Sequence, residues 1–386
     1  MNNLDFSNRG RSLVGQKMFS ILEQANQYEK KGRVIKHLEL GEPDQYAPGR
    51  IINKTIISLL EHKVGYAPSG GLSALREGVA NYYSKTFKKS FLEENIAISP
   101  ANMLIYQLLE ICCNSGDEVC IFTPGFPTYF AASKYINLKI NEVKLDSNDG
   151  FQLKRSHIDK ALSKNPKVIL VNSGNNPTGA VYDKEVLKYL VDKASEKNIW
   201  IISDETYGML SFNKKYFSLL ELNYKKIAVI SSFSKVFAVP GYRVGYVIAD
   251  PKLIEKIVLS SSTIYSCLPI FVQEGILVGL DILDEFTKKR RLDYKNLSSE
   301  CINILKKDNR ISCSVPEAGF YLFIDIRKFD LDDLTFCSKL LEDYGTALTP
   351  GSSFGMPGFV RACFCKDINI VKDGLEDLVT FSKTLV

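Results

Sequence analysis

The sequence predicts an α/β fold with a large domain, built on a mostly parallel seven-stranded sheet flanked by helices, and a smaller α+β domain. Between about residues 92 and 250, apolar runs of strand length alternate with helical patterns. Strands separated by helices favour parallel pairing, with helices on both faces of the sheet. After residue 280 the chain becomes charged and helical before shorter strands return. A chain of 386 residues, 45% of them hydrophobic, is long enough for two such domains.

Each element is predicted from a local pattern. The sheet strands are apolar runs near 96–98, 118–122, 139–144, 167–171, 199–202, 227–231 and 244–248. Helical spacing of apolar residues predicts one helix over Leu104–Cys113 and another over Asp183–Asn198, with Asp183 as its N-cap. In the smaller domain we expect a charged helix over Asp281–Lys307 and a strand over Phe320–Ile324.

Polar residues follow two of the predicted parallel strands. Asn176 lies in a turn cluster after the strand at 167–171, and Asp204 follows the strand at 199–202. The carboxyl ends of strands in an open α/β sheet are where ligands bind. A carboxylate there can pair with a protonated ring nitrogen, while the Asn176 amide and the Tyr207 hydroxyl can bond a ring oxygen.

The segment Ser231–Lys235 indicates a specific chemistry. Lys235 follows small hydroxyl residues, and Arg243 lies eight positions further on. A lysine that burial and nearby cations keep deprotonated can form an imine with an aldehyde. Ser232 and the forked guanidinium of Arg243 suit a phosphate, and pyridoxal 5′-phosphate carries both groups. Taken alone, the segment has the alternative interpretation of a serine-rich turn with a solvated lysine.

Over nearly its whole length the chain resembles the class I/II aminotransferases, which are fold-type I enzymes dependent on pyridoxal 5′-phosphate. The motifs occur in the order that the family has: Leu40–Asp44 (LGEPD), 65–77 (GY…GGL…LRE), Asn175–Gly179 (NNPTG), Ser203–Tyr207 (SDETY), Ser231–Lys235 (SSFSK), Gly241–Tyr246 (GYRVGY) and Pro350–Arg361. The resemblance implies a large cofactor-binding domain over 46–283. It also implies a small domain made of 1–45 together with 284–386.

The resemblance also implies the role of each site residue. Lys235, Asp204 and Tyr207 are the implied catalytic residues, with Lys235 forming the Schiff base and Asp204 holding the pyridine nitrogen. The implied cofactor contacts are Tyr66, Ala101, Asn102, Phe126, Asn176, Asp204, Tyr207, Ser232, Ser234, Lys235 and Arg243. Arg361 would clamp the substrate α-carboxylate, beside Gly41 and Asn176. Tyr66 would reach the phosphate of a neighbouring subunit, which implies a homodimer with shared active sites.

Two positions depart from the family pattern. Pro100 stands where glycine or another small residue is usual, just before the backbone amides of Ala101 and Asn102. Proline has no N–H but suits the first turn of a helix. Gly174 replaces a proline that is common before the asparagine motif, so we expect a looser loop there.

We therefore expect an aminotransferase that acts on an L-amino acid and a 2-oxo acid. Residues 100–103 hold no cation to meet a second carboxylate, and burying an unpaired one costs several kcal/mol. We therefore expect a neutral or aromatic substrate. Another reaction of the same cofactor, such as β-elimination by a carbon–sulfur lyase or a step of specialised amino-acid biosynthesis, is the alternative.

Other classes of protein fit less well. A regulator with a domain of this type usually carries a DNA-binding domain, for which there is no room before Gly41, and a nicotinamide dehydrogenase would need a third spaced glycine after Gly70 and Gly71. A net charge of +5 with scattered lysines predicts no nucleic-acid partner. The lack of a long apolar run or apolar leader predicts no membrane partner and a cytoplasmic protein. The nine cysteines and three histidines show no metal-binding pattern.

Overall fold

The computed structural model describes residues 6–11, 13, 17–44 and 46–385. Its strands are β1 (Lys36–His37), β2 (Ile96–Ser99), β3 (Glu118–Thr123), β4 (Lys139–Lys144), β5 (Val168–Val171), β6 (Trp200–Asp204), β7 (Ile227–Ser232), β8 (Gly245–Ile248), β9 (Ser312–Cys313), β10 (Tyr321–Asp325), β11 (Thr346–Ala347), β12 (Thr349–Pro350) and β13 (Phe359–Cys363). Its α-helices are α1 (Asn8–Arg11), α2 (Lys17–Lys30), α3 (Gly49–Leu60), α4 (Ser73–Phe87), α5 (Ala101–Cys112), α6 (Pro127–Tyr135), α7 (Arg155–Leu162), α8 (Lys184–Glu196), α9 (Phe233–Val236), α10 (Pro251–Ile264), α11 (Ile270–Gly279), α12 (Leu283–Leu305), α13 (Asp333–Tyr344) and α14 (Ile368–Thr384).

The main sheet has the seven strands that the sequence predicts, in the order β2-β8-β7-β6-β5-β3-β4. Strands β4, β3, β5, β6 and β7 pair in parallel. Strand β8 is antiparallel to both of its neighbours, β2 and β7. The prediction of a mostly parallel seven-stranded sheet is confirmed.

Strand β5 shows why the sheet is apolar throughout its middle. All four of its residues are buried. Ile169 and Val171 belong to one hydrophobic cluster, and Val168 and Leu170 to another. Successive side chains of a strand point to opposite faces, so each cluster lies on its own face of the sheet. Helices cover both faces, and the carboxyl edge is left to carry polar residues.

A second unit of structure begins with α12 (Leu283–Leu305), after the last strand of the main sheet. Strands β12, β13, β10 and β9 form an antiparallel sheet, and α12 packs against α14. Strand β1 pairs in parallel with β11, so residues 36–37 join this later part of the chain. That pairing brings the segment after β1 next to the main sheet's carboxyl edge.

Two details differ from the sequence prediction. Asp204 is the last residue of β6 and not a residue beyond it, because its backbone still pairs with Ile230 of β7. Asp183 does occupy the N-cap of α8, but its side chain makes no capping hydrogen bond. The Asp183 carboxylate instead pairs with Lys214 at 2.8 Å. Within the described residues, no helix is both long and apolar enough to cross a bilayer.

Candidate active site

A cavity of about 450 Å³ opens at the carboxyl edge of the main sheet. Except for Tyr66, every site residue that the sequence predicts lines it: Gly41, Ala101, Asn102, Phe126, Asn176, Asp204, Tyr207, Ser232, Ser234, Lys235, Arg243 and Arg361. These residues come from strand ends, helix starts and loops between residues 41 and 361. The fold therefore assembles the predicted site in one place.

Lys235 lies in the short helix α9, directly after β7. The Ser232 hydroxyl caps this helix by accepting a hydrogen bond from the Ser234 N–H at 3.2 Å. The Lys235 ammonium donates to the Gly41 carbonyl oxygen at 2.6 Å. Removal from water, together with the charges of Arg361 and Arg243, lowers the pKa of Lys235 to about 8. The amine is thus available as a nucleophile or base near neutral pH.

Asp204 is a buried carboxylate held by two neighbours. The Tyr129 hydroxyl donates to its Oδ2 at 2.8 Å, and the Thr206 N–H donates to its Oδ1 at 3.1 Å. Burial raises the pKa of Asp204, and the hydrogen bonds from Thr206 and Tyr129 work against that rise. No cation of the described residues pairs with this carboxylate. A ligand with a positive charge at this point would relieve the cost of burying it.

Two phenols and an amide lie beside this carboxylate. The hydroxyls of Tyr207 and Tyr321 are 2.8 Å apart. Burial raises the pKa of both phenols, that of Tyr321 to about 12, so both keep their protons. The backbone N–H of Asn176 donates to the Asn172 side-chain oxygen at 2.9 Å, and the Asn176 side-chain oxygen accepts from Arg361 at 3.0 Å.

Arg361 on β13 is a buried cation without a carboxylate partner among the described residues. Its side chain is only 2% exposed. It donates to Asn176 Oδ1 at 3.0 Å, to Thr349 Oγ1 at 3.2 Å and to the Glu39 carbonyl, but in the described part of the chain its Nε has no hydrogen-bond partner. The rings of Tyr321 and Phe354 lie 4.4 and 4.9 Å from the guanidinium carbon. A forked cation fixed in this way is suited to bind a carboxylate.

The start of α5 lies at one end of the cavity. Pro100 is the N-cap, and it makes no side-chain cap bond. The first N–H groups of a helix have no partners within it and attract anions. Arg243 lies across from them and donates to Asn102 Oδ1 at 3.1 Å. Proline at position 100 therefore removes little of this N–H donor set, because the N–H groups of Ala101 and Asn102 come after it.

Gly174 has a conformational reason to replace proline. Its φ is +69°, which proline cannot adopt. Its N–H also donates to the Ala180 carbonyl at 2.9 Å. The loop is thus tied to the residues that follow the asparagine motif, and the expectation that it is looser is not supported by these contacts.

Taken together, these groups match the chemistry of pyridoxal 5′-phosphate. Lys235 offers an amine for the aldehyde, Asp204 a carboxylate for the ring nitrogen, and Tyr207 and Asn176 partners for the ring oxygen. Phe126 supplies an apolar ring, and the start of α5 with Arg243 supplies an anion site. The residues present therefore fit this cofactor.

Tyr66 does not belong to this cavity. Its side chain is 91% exposed. Its role toward a neighbouring subunit stays a prediction from the sequence.

Several residues that line or support the cavity were not predicted from the sequence: Phe19, Leu40, Glu42, Ile105, Tyr129, Asn172, Thr206 and Tyr321. Asn172 could have been found, because it directly follows the apolar run at 167–171. Tyr129 carried no such signal, since its contact with Asp204 spans 75 positions of the chain.

Comparisons with known proteins agree with this geometry. A family model described as "Aminotransferase class I and II" matches residues 42–376. An aspartate aminotransferase of Thermotoga maritima is 31% identical over 355 residues, covering 91% of this chain and 92% of that protein. A (5-formylfuran-3-yl)methyl phosphate transaminase of Methanocaldococcus jannaschii is 32% identical over 380 residues, covering 94% of this chain and 96% of that protein.

Solved structures show the same architecture. The crystal structure of aspartate aminotransferase from Thermotoga maritima superposes with a TM-score of 0.90 at 30% identity, covering 97% of this chain and 99% of the other. Aspartate aminotransferase of Thermus thermophilus with maleate gives a TM-score of 0.91 at 25% identity, covering 99% and 100%.

Proposed function

The chain belongs to the class I and II aminotransferase family, whose enzymes use pyridoxal 5′-phosphate, and we propose that its preferred amino donor is a neutral or aromatic L-amino acid. The acceptor is a 2-oxo acid. The observation that carries this proposal is the charge of the cavity lining. Its only described cations are Lys235, Arg243 and Arg361, and each already has a task.

We assign the chemistry to four residues. Lys235 would hold the cofactor covalently and, when free, would take the proton from the substrate Cα. Its pKa of about 8 leaves a large neutral fraction near that pH. Asp204 would hold the ring nitrogen, and Tyr207 and Asn176 would bond the ring oxygen. The bound cofactor supplies an electron sink for the charge that develops at Cα.

Arg361 binds the α-carboxylate of the substrate. Its Nε lacks a partner, and the flanking rings of Tyr321 and Phe354 hold the guanidinium plane in place. An incoming carboxylate would supply the missing partner and neutralise a buried charge. Because every amino acid has an α-carboxylate, this contact does not select among side chains.

Selection among substrate side chains must come from the other residues that line the cavity. Phe19, Leu40 and Ile105 give the cavity an apolar wall, and Glu42 adds a negative charge. A second carboxylate on the substrate would meet repulsion from Glu42 and, among the described lining residues, no cation without another role. An apolar or aromatic side chain would instead bury its surface against this wall, at about 25 cal/mol per Å².

Aspartate is the competing candidate, because several relatives are named aspartate aminotransferases. The comparison that separates the two is the half-reaction rate of the holoenzyme with single amino acids. Phenylalanine, alanine and glutamine should each convert the cofactor spectrum faster than aspartate and glutamate. A tenfold or greater advantage for aspartate over all three would overturn the proposal. Formation of pyruvate, ammonia and sulfide from cysteine, without the aminated cofactor, would instead favour the lyase reaction, for which no relative cited above gives support.

Phe19 allows a sharper version of the test. Phe19→Ala should slow the reaction of phenylalanine several-fold and leave that of alanine almost unchanged, because only the larger side chain reaches the wall. Leu13→Ala is the matched control, since Leu13 is also an exposed apolar residue but lies outside the lining. Equal effects of Phe19→Ala on both substrates would remove Phe19 from the substrate pocket.

We also propose that the enzyme is a homodimer with shared active sites and that it is cytoplasmic. Helix α3 supports the dimer, because it exposes an apolar stripe close in sequence to the exposed Tyr66: Ile56, Ile57, Leu59 and Leu60. Light scattering should give twice the chain mass of 43.4 kDa. An active monomer would refute the shared site. The division into 46–283 and 1–45 with 284–386 is likewise our proposal.

A further inference from the structure

Three successive backbone carbonyls meet three side chains of the site. We call Glu39–Gly41 the strap. The Glu39 carbonyl accepts from Arg361 Nη2, the Leu40 carbonyl from Cys363 Sγ at 3.0 Å, and the Gly41 carbonyl from Lys235 Nζ at 2.6 Å. The strap therefore touches both the arginine and the lysine on which the proposed function depends.

The Gly41 position shows how closely the strap is fitted. A Cβ at this residue would lie 1.8 Å from the hydroxyl oxygen of Tyr321. Real Cβ atoms do not approach other atoms so closely, so only glycine fits without a shift of backbone or ring. A small displacement of the strap would therefore be transmitted to the contacts of Lys235 and Tyr321.

A fully buried carboxylate stands at the start of the strap. The Glu39 side chain is 0% exposed, and its Oε1 lies 2.8 Å from His37 Nδ1. His37 Nε2 lies 3.2 Å from Glu29 Oε1 on α2. In the described part of the chain, Glu39 Oε2 has no hydrogen-bond partner and His37 is the one cation paired with Glu39. Loss of His37 would thus leave a buried carboxylate uncompensated, which is strongly destabilising.

The geometry also defines the charge of His37. A neutral imidazole donates from one nitrogen only, whereas an imidazolium donates from both. Since each ring nitrogen faces a carboxylate, the protonated form satisfies both contacts. The hydrogen bond to Glu39 is the largest effect, and together with Glu29 it raises the pKa of His37 to about 9. The pair is therefore ionic at neutral pH.

We propose that the His37–Glu39 ion pair is a positioning element of the active site: it fixes the strap, and through the Glu39 carbonyl it orients Arg361 for the substrate carboxylate. The inference rests on the proposed role of Arg361. A purely structural role is the alternative, because β1 is also tied to β11 by backbone pairing. The two differ in what they predict for binding. Positioning makes the affinity for carboxylates depend on the pair, while a structural role makes only stability depend on it.

The test uses the holoenzyme and three variants. Glu39→Gln and His37→Gln each remove one charge of the pair. Lys36→Gln is the matched control, because Lys36 neighbours His37 on β1 but pairs with Asp377 at 2.9 Å, away from the strap. For each protein we would measure kcat and KM for phenylalanine, the Kd of propionate, and the melting temperature. Propionate is the probe because it offers a carboxylate and no amino group.

We expect Glu39→Gln and His37→Gln to raise KM and the Kd of propionate about tenfold, the scale of one charge-assisted hydrogen bond, with kcat within about twofold of wild type. Lys36→Gln should change the melting temperature only. Unchanged KM and Kd in both Glu39→Gln and His37→Gln would overturn the inference. A wild-type titration needs no variant: the Kd of propionate should rise as the pH passes about 9, where His37 loses its proton between Glu29 and Glu39, and a flat profile there would also overturn it.

Arg361→Leu separates this inference from the proposed function. If Arg361→Leu leaves the Kd of propionate unchanged, the proposed role of Arg361 fails, and the strap inference fails with it. If Arg361→Leu weakens propionate binding but Glu39→Gln and His37→Gln do not, only the inference about the ion pair fails.

Discussion

Tyr129→Phe tests the proposed role of Asp204 without touching Asp204 itself. The change removes one hydroxyl and keeps the ring that packs edge-on against Phe126 at 5.7 Å. It deletes the 2.8 Å hydrogen bond to Asp204 Oδ2 and leaves the carboxylate with its contacts to Thr206. The variant therefore isolates one interaction of a buried charge.

The magnitude follows from the kind of bond. A hydrogen bond to a charged group is worth about 1.5–3 kcal/mol, and about 1.4 kcal/mol corresponds to a factor of ten. We therefore expect the half-reaction rate with phenylalanine to fall by roughly ten- to a hundredfold. Because Tyr129 opposes the rise that burial causes in the pKa of Asp204, its loss raises that pKa further. The deficit should thus be largest at low pH and should shrink as the pH rises and Asp204 ionises.

The assay is stopped-flow absorbance of the cofactor with saturating amino acid, across a range of pH. Tyr135→Phe is the control, because Tyr135 lies on the same helix and its ring packs against Tyr106 outside the cavity. It should react at the wild-type rate. A Tyr129→Phe enzyme that matches wild type at every pH would refute the reasoning, because Asp204 would then not need its second donor.

Three further predictions follow from the site and from His37. Borohydride treatment of the holoenzyme should fix the cofactor on Lys235, and peptide mapping that finds another lysine would count against the assignment. Asp204→Asn should keep the cofactor bound but slow single turnover severely, because an amide cannot balance a protonated ring nitrogen; a near wild-type rate would contradict this. The raised pKa of His37, about 9 against 6.5, means that its stabilising effect is complete below about pH 6.5 and is lost as the pH rises past about 9. The unfolding free energy of wild type relative to His37→Gln should therefore drop by up to about 3 kcal/mol between these limits. If urea titrations give the same difference between the two proteins at every pH, His37 does not stabilise the fold in this way.

Much of the fold could be read from the sequence, because buried parallel strands are continuous apolar runs. Strand β5 illustrates this, since all of its residues are buried on one face or the other. The same rule located Asn176 and Asp204 at the sheet edge. Lys235 and Arg243 lie only eight positions apart and were found as one motif.

The remainder depended on contacts that no local pattern contains. The bond from Arg361 to Asn176 spans 185 positions, and that from Tyr129 to Asp204 spans 75. The strap acts through backbone carbonyls, which every residue type provides, so residue identity gives no sign of it. The left-handed conformation of Gly174 and its hydrogen bond to the Ala180 carbonyl likewise have no local signal in the sequence.

The reach of these contacts along the chain has a consequence for the order of events during folding. The groups proposed to hold the cofactor lie mostly between residues 101 and 243, whereas the contact of Arg361 with Glu39 closes a separation of 322 positions. Closing a longer loop costs only slightly more entropy, but contacts between distant residues form late and slowly. We therefore expect a refolding chain to recover cofactor binding before it recovers affinity for the amino acid.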